Sequence, residues 1–130
     1  MSIQDNKDLV LRYTRLIEQG NYDAALDLVA DDCVFWHPMS GDSGKAQTRE
    51  VFRQMGPLLK DMKSEVKSLT AEADRVAVEV EVSATAPGGK SYRNRYHFLY
   101  QVRDGLIAAS REYVDTTPIH QAFFAQDTSK

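Results

Sequence analysis

His37 closes a short apolar run, Cys33-Val34-Phe35-Trp36-His37, and stands directly before Pro38. An imidazole titrates near neutral pH, so this residue can take up and return a proton under ordinary conditions. The plain alternative is a strand histidine satisfied by a backbone partner. Glu79, Glu81 and Glu112 lie in the β-rich half of the chain. If they share a pocket, at least one is expected to be protonated near neutral pH, because close carboxylates do not all ionise cheaply. Otherwise they are ordinary surface charges. Tyr13 lies on an apolar helix stripe, where a buried hydroxyl needs a hydrogen-bond partner. Acid–base work is the chemistry these residue types offer. A single cysteine, Cys33, excludes an internal disulfide and a multi-cysteine metal site. No histidine pair has metal-ligand spacing, and Gly88-Gly89 belongs to a hairpin rather than to a phosphate-binding strand-to-helix turn. No metal or cofactor is expected.

These residues must be positioned by an α+β chain, helical in its first half and β in its second. Between Asp5 and Gln19, Leu9, Val10, Tyr13, Leu16 and Ile17 form an amphipathic helical stripe, stopped by Gly20. Asn21 caps a second short helix with the stripe Tyr22, Ala25, Leu26 and Val29, broken by Asp31-Asp32. The strand ending at His37 leads into the loop Ser40–Gly44, and a third helix runs from about Lys45 to Met55. Strands follow over Met62–Ala73, Arg75–Ala86, Lys90–Arg103 and Leu106–Asp115, with Pro87-Gly88-Gly89 and Asp104-Gly105 as hairpin turns. Thr116-Thr117-Pro118 ends the last strand, and the tail after Phe124 reads as frayed. The order predicts a sheet with helices on one face.

Register then decides which side chains meet. A two-residue Gly88-Gly89 turn pairs Glu79 with Phe98, Glu81 with Tyr96 and Ser83 with Asn94. Glu79, Glu81, Asn94, Tyr96, Phe98 and Tyr100 would share one face, and Val78, Val80 and Val82 the other. A three-residue turn would reverse the parity. With the two-residue turn, the valine face invites a partner subunit, and a homodimer through it is expected.

Composition bounds the rest. The 130 residues form one expected domain, with a core of about residues 5–124, 42% apolar and 27% charged. A net charge of −3 argues against nucleic acid as a partner. No apolar run is long enough to span a membrane, and the N-terminus lacks the basic and apolar regions of a signal peptide. A cytoplasmic location is expected.

Val10-Leu11-Arg12-Tyr13, Gly20–Ala25 and Ala30–Pro38 resemble the N-terminal half of ketosteroid-isomerase-like proteins. Arg103-Asp104-Gly105-Leu106-Ile107 and Arg111–Asp115 resemble the end of SnoaL-like proteins and limonene-epoxide hydrolases. All belong to the NTF2-like superfamily. The resemblance implies a cone-shaped α+β fold, a strongly curved antiparallel sheet wrapped around N-terminal helices, a central apolar pocket and a homodimer. By position, Tyr13 matches the oxyanion-donating tyrosine of the steroid isomerases and His37 their general base, while Phe98 falls on or near their second donor. Glu112 matches the final-strand acid of the epoxide hydrolases, and Glu81 and Glu79 match its Asp and Arg companions. The resemblance thus implies catalytic roles for His37, Tyr13, Glu112 and Glu81. Glu79, Asn94, Tyr96, Phe98, Val114 and Phe35 would line the pocket, and the ligand would be a small apolar metabolite. Isomerase, cyclase, dehydratase or epoxide-hydrolase chemistry fits this set. A non-catalytic hydrophobic-ligand-binding or regulatory dimerisation module is the alternative.

Overall fold

The computed structural model describes residues 2–124, so the tail expected to fray after Phe124 lies outside the described residues. Helix α1 (Ile3–Glu18) begins at Ser2, whose hydroxyl accepts the Asp5 amide N–H at 3.0 Å while its own N–H donates to the Asp5 carboxylate. It ends where Gly20 turns left-handed (φ 78°), and the Asn21 N–H closes on the Leu16 carbonyl. α2 (Tyr22–Leu26) is shorter than its sequence stripe. Val29 opens strand β1 (Val29–His37) instead, and the exposed Asp31-Asp32 pair lies in a bulge. There the carboxylates reach outward, Asp31 to Lys45 and Asp32 to Arg103. The loop after Pro38 contains a three-residue strand, β2 (Gly41–Ser43), before α3 (Lys45–Met55).

β3 (Lys60–Glu72), β4 (Arg75–Thr85), β5 (Ser91–Arg103) and β6 (Leu106–Val114) form the expected meander. The six-stranded sheet has the order β2-β1-β6-β5-β4-β3, with β1 and β6 parallel and the other pairs antiparallel. A further helix, α4 (Thr116–Ile119), follows where the sequence suggested only a strand end. Asp115 caps it by accepting the Thr117 N–H. Pro118, read as a stop, sits in its first turn, where a missing N–H is no loss.

The β4–β5 register corrects the sequence expectation. Pro87-Gly88-Gly89 form a three-residue loop, closed by the Ala86 N–H on the Lys90 carbonyl. Gly88 and Gly89 both have positive φ, which no β-branched residue could supply. Val78 therefore faces Phe98, Val80 faces Tyr96 and Val82 faces Asn94, while Glu79 faces His97 and Glu81 faces Arg95. The one-residue shift reverses every face. Val76, Val78 and Val80 are buried in the main core with Val10, Tyr13, Leu26, Tyr100 and Ile107. They are covered by the helices, so the dimer surface expected on them does not exist.

Candidate functional site

The inner face of the sheet is covered at both ends. At one end α1 and α2 bring Val10, Tyr13 and Leu26 onto Val76, Val78 and Tyr100. At the other, Ala122 and its neighbours after α4 pack on Ala84, Ala86 and Tyr92. Between the two clusters Phe35, His37, Val82, Tyr96, Phe98, Glu112 and Val114 are only half-buried, although pairing puts these β4, β5 and β6 residues on the inner face. This strip, the hollow between the two clusters, is the less covered part of the inner face. Its floor is a row of aromatic rings two residues apart along β5. Tyr96, Phe98 and Tyr100 stack nearly parallel, with successive centroids 5.6 Å apart.

One acid–base pair stands on its wall. The parallel pairing of β1 and β6 brings the end of each strand to the same level. There His37 Nε2 lies 2.8 Å from a Glu112 oxygen, with 29% and 23% of the two side chains open. Both are thus within reach of a ligand. The other imidazole nitrogen is engaged as well: the Met39 backbone N–H donates to Nδ1 at 3.1 Å. These partners assign the neutral ring to the Nε2–H tautomer, donating to the carboxylate. Neither nitrogen is left with a free lone pair. While the ring is neutral, His37 thus holds Glu112 in place, and the carboxylate keeps lone pairs free to accept a further hydrogen bond.

Glu112 faces more than His37. Its charge adds to burial in raising the pKa of Tyr13, Tyr92, Tyr96 and Tyr100. Burial is the larger cause in each. All four phenols are thereby kept protonated. Tyr13, expected at the site, packs edge-on against Tyr100 at 5.8 Å. Cys33 is buried nearby, its thiol pushed up to about 11, which leaves it a packed apolar residue.

Glu79 and Glu81 are not in the hollow. Glu81 stands on the outer face, bridged to Arg95 at 3.1 Å and Arg93 at 3.3 Å. The Arg95 hydrogen bond first, and the other nearby cations with it, hold its carboxyl below the usual range. Glu79 lies on the same face, accepting from the Ser68 hydroxyl at 3.3 Å. The expected convergence of Glu81 and Glu112 fails because the three-residue turn sends them to opposite sides of the sheet. Phe35, Asn94, Tyr96, Phe98 and Val114 do lie on the inner side. Tyr92 was missed, although it continues the period-two row of Asn94, Tyr96, Phe98 and Tyr100.

Two shallow grooves open elsewhere. One of about 470 Å³ runs past Glu18, Tyr22, Phe52, Pro57 and Met62, and one of about 460 Å³ past Asn6, Asp74 and Asp104. Neither brings an acid and a base together. No group of three His, Cys, Asp or Glu side chains suited to a metal occurs among the described residues. No helix among them is long and apolar enough to cross a membrane.

The Glu112 hydrogen bond raises the pKa of His37 above its ordinary 6.5, against the opposing effect of partial burial. Stability from this shift is fully present below pH 6.5 and is lost as pH rises through the folded-state value. The urea midpoint of the wild type should therefore exceed that of Glu112→Gln by more at about pH 5.5 than at about pH 9. A difference that grows with pH would contradict the pairing.

A curved, unclosed sheet wrapped on N-terminal helices is the NTF2-like fold. The chain belongs to the SnoaL-like domain family, which matches residues 10–110. An NTF2-like protein of unknown function from Burkholderia pseudomallei superposes with a TM-score of 0.84 at 19% identity, covering 96% of this chain and 100% of that one. AclR from Streptomyces galilaeus gives 0.83 at 20% identity over 92% and 85%. An LEH-like epoxide hydrolase from M. tuberculosis gives 0.78 at 16% identity over 92% and 90%. At these identities the likeness is one of fold. No curated protein matches the chain.

Proposed function

We propose that this protein binds a small, largely apolar molecule in the hollow and moves a proton on it, with Glu112 as the base. The carrying observation is the His37–Glu112 contact at 2.8 Å, with the second imidazole nitrogen occupied by the Met39 amide. A carboxylate already held in one orientation has little positioning left to do when a ligand binds beside it. Tyr13 supplies a protonated hydroxyl on the helix side. The stacked rings of β5 offer a flat apolar surface to the ligand. A ketone losing a proton next to its carbonyl, or an epoxide opened by water that Glu112 deprotonates, fits this arrangement. The epoxide-hydrolase neighbour lends weight to the second of these.

The test is a panel of apolar ketones and epoxides incubated with the protein in heavy water and followed by NMR. Deuterium entering beside a carbonyl, or diol forming from an epoxide, is expected in proportion to protein concentration. Saturable binding of the panel without exchange or opening would replace this reading with that of a ligand carrier.

A further inference from the structure

At the end of the aromatic row three polar side chains are joined in series. The Asn94 amide nitrogen donates to the Tyr92 hydroxyl at 3.1 Å and to the Asp115 carbonyl at 2.9 Å, while its oxygen accepts the Arg95 N–H at 2.9 Å. Every hydrogen-bonding group of that amide with a partner in reach is thus fixed, and Asn94 itself is nine-tenths buried. The Tyr92 hydroxyl is in turn hydrogen-bonded to that of Tyr96.

Counting protons decides what this series does. Two phenols bring two hydroxyl protons. One lies between the two oxygens, and the other has no acceptor among the described residues. Tyr92 is 2% exposed as a residue, so a spare proton there would be sealed away from any acceptor. Tyr96, although burial raises the pKa of its phenol strongly too, is the one of the two that is only half-buried, on the inner face. Sealing an unused donor is costly. The Tyr92 proton therefore goes to the Tyr96 oxygen, and the Tyr96 proton is left facing the hollow. Donors in series polarise one another, and each strengthens the next.

We infer that Asn94, Tyr92 and Tyr96 form a donor relay ending in the Tyr96 hydroxyl, which hydrogen-bonds a carbonyl or epoxide oxygen of the ligand on the same face as Glu112. This rests on the proposed reading and adds its missing half: the relay stabilises charge on oxygen as Glu112 removes a proton. Tyr96 touches the ligand, and Tyr92 and Asn94 are positioning residues.

A spectroscopic probe tests this without turnover. Carbonyl-labelled 2-acetylnaphthalene bound to the wild-type chain should show its infrared C=O band shifted below that in an apolar solvent. Tyr96→Phe keeps the ring and should abolish most of the shift, weakening binding by roughly two- to tenfold. Tyr92→Phe should leave an intermediate shift, because Tyr96 still donates but without reinforcement. Glu112→Gln should keep the shift while losing proton transfer, so the relay and the proposed function fail independently. In the wild-type chain labelled with 3-fluorotyrosine, the Tyr96 fluorine resonance should move on ketone binding. An unchanged band and affinity in Tyr96→Phe, a fluorine resonance that does not respond, or no saturable binding of the ketone to wild type would each overturn the inference.

Discussion

Val80→Glu is expected to leave the chain unfolded, while the neighbouring exchange Glu81→Val leaves its urea midpoint essentially where it was. Val80 is 2% exposed, packed between Tyr96 and the helices with no cation on its face of β4. A carboxylate placed there must either lose its hydration or be protonated on folding, at a cost of at least roughly 3–5 kcal/mol. Even this minimum reaches the lower end of the stability of a domain this size, about 5–15 kcal/mol. Glu81 is one residue away in sequence and on the other side of the sheet. Its arginine partners are largely exposed, and a β-branched residue suits a strand position facing outward. Urea titration followed by circular dichroism reads both. A folded Val80→Glu alongside an unfolded Glu81→Val would restore the two-residue turn and put the acids back inside.

The second large effect belongs to Glu112→Gln. Glutamine keeps the size of the side chain and still accepts the His37 Nε2 proton, but it cannot take a proton from a ligand. The exchange or ring-opening rate should fall roughly 10²–10⁴-fold with binding little changed, the usual size of a general-base contribution. His37 is a poor substitute, since its second nitrogen must give up the Met39 N–H before it can take that proton. His37→Ala should lower the rate by freeing the carboxylate to rotate, and His37→Gln, which can still donate, should recover part of the loss. An active Glu112→Gln combined with a dead His37→Gln would return the base to the histidine.

Much of the fold was legible because local physics wrote it. The α1 stripe, the Gly20 stop and the Asp104-Gly105 turn each depend on neighbouring residues alone. The β4–β5 faces were not legible, because Pro87-Gly88-Gly89 is compatible with a loop of two residues or of three. Only the packing of the valines on Val10 and Tyr13 decides between them. The period-two row places the aromatics of β5 on one face, but it does not say which residues of β4 they oppose. His37 stands out by its residue type and position, and Glu112 by its resemblance to the final-strand acid of the limonene-epoxide hydrolases. Their contact depends on parallel pairing of β1 with β6, which no turn signal announces. Tyr92 was overlooked because its role comes from a hydroxyl two residues away, not from any motif.

That parallel pairing also sets when the site can exist. β1 lies near the start of the chain and β6 near its end, so His37 and Glu112 meet only after the whole intervening sheet has been laid down. Closing so long a stretch of chain is entropically slow, and such contacts form late. During synthesis α1, α2 and β1 emerge with His37 lacking its acid, and the chain gains its acid–base pair only when its last strand docks beside its first.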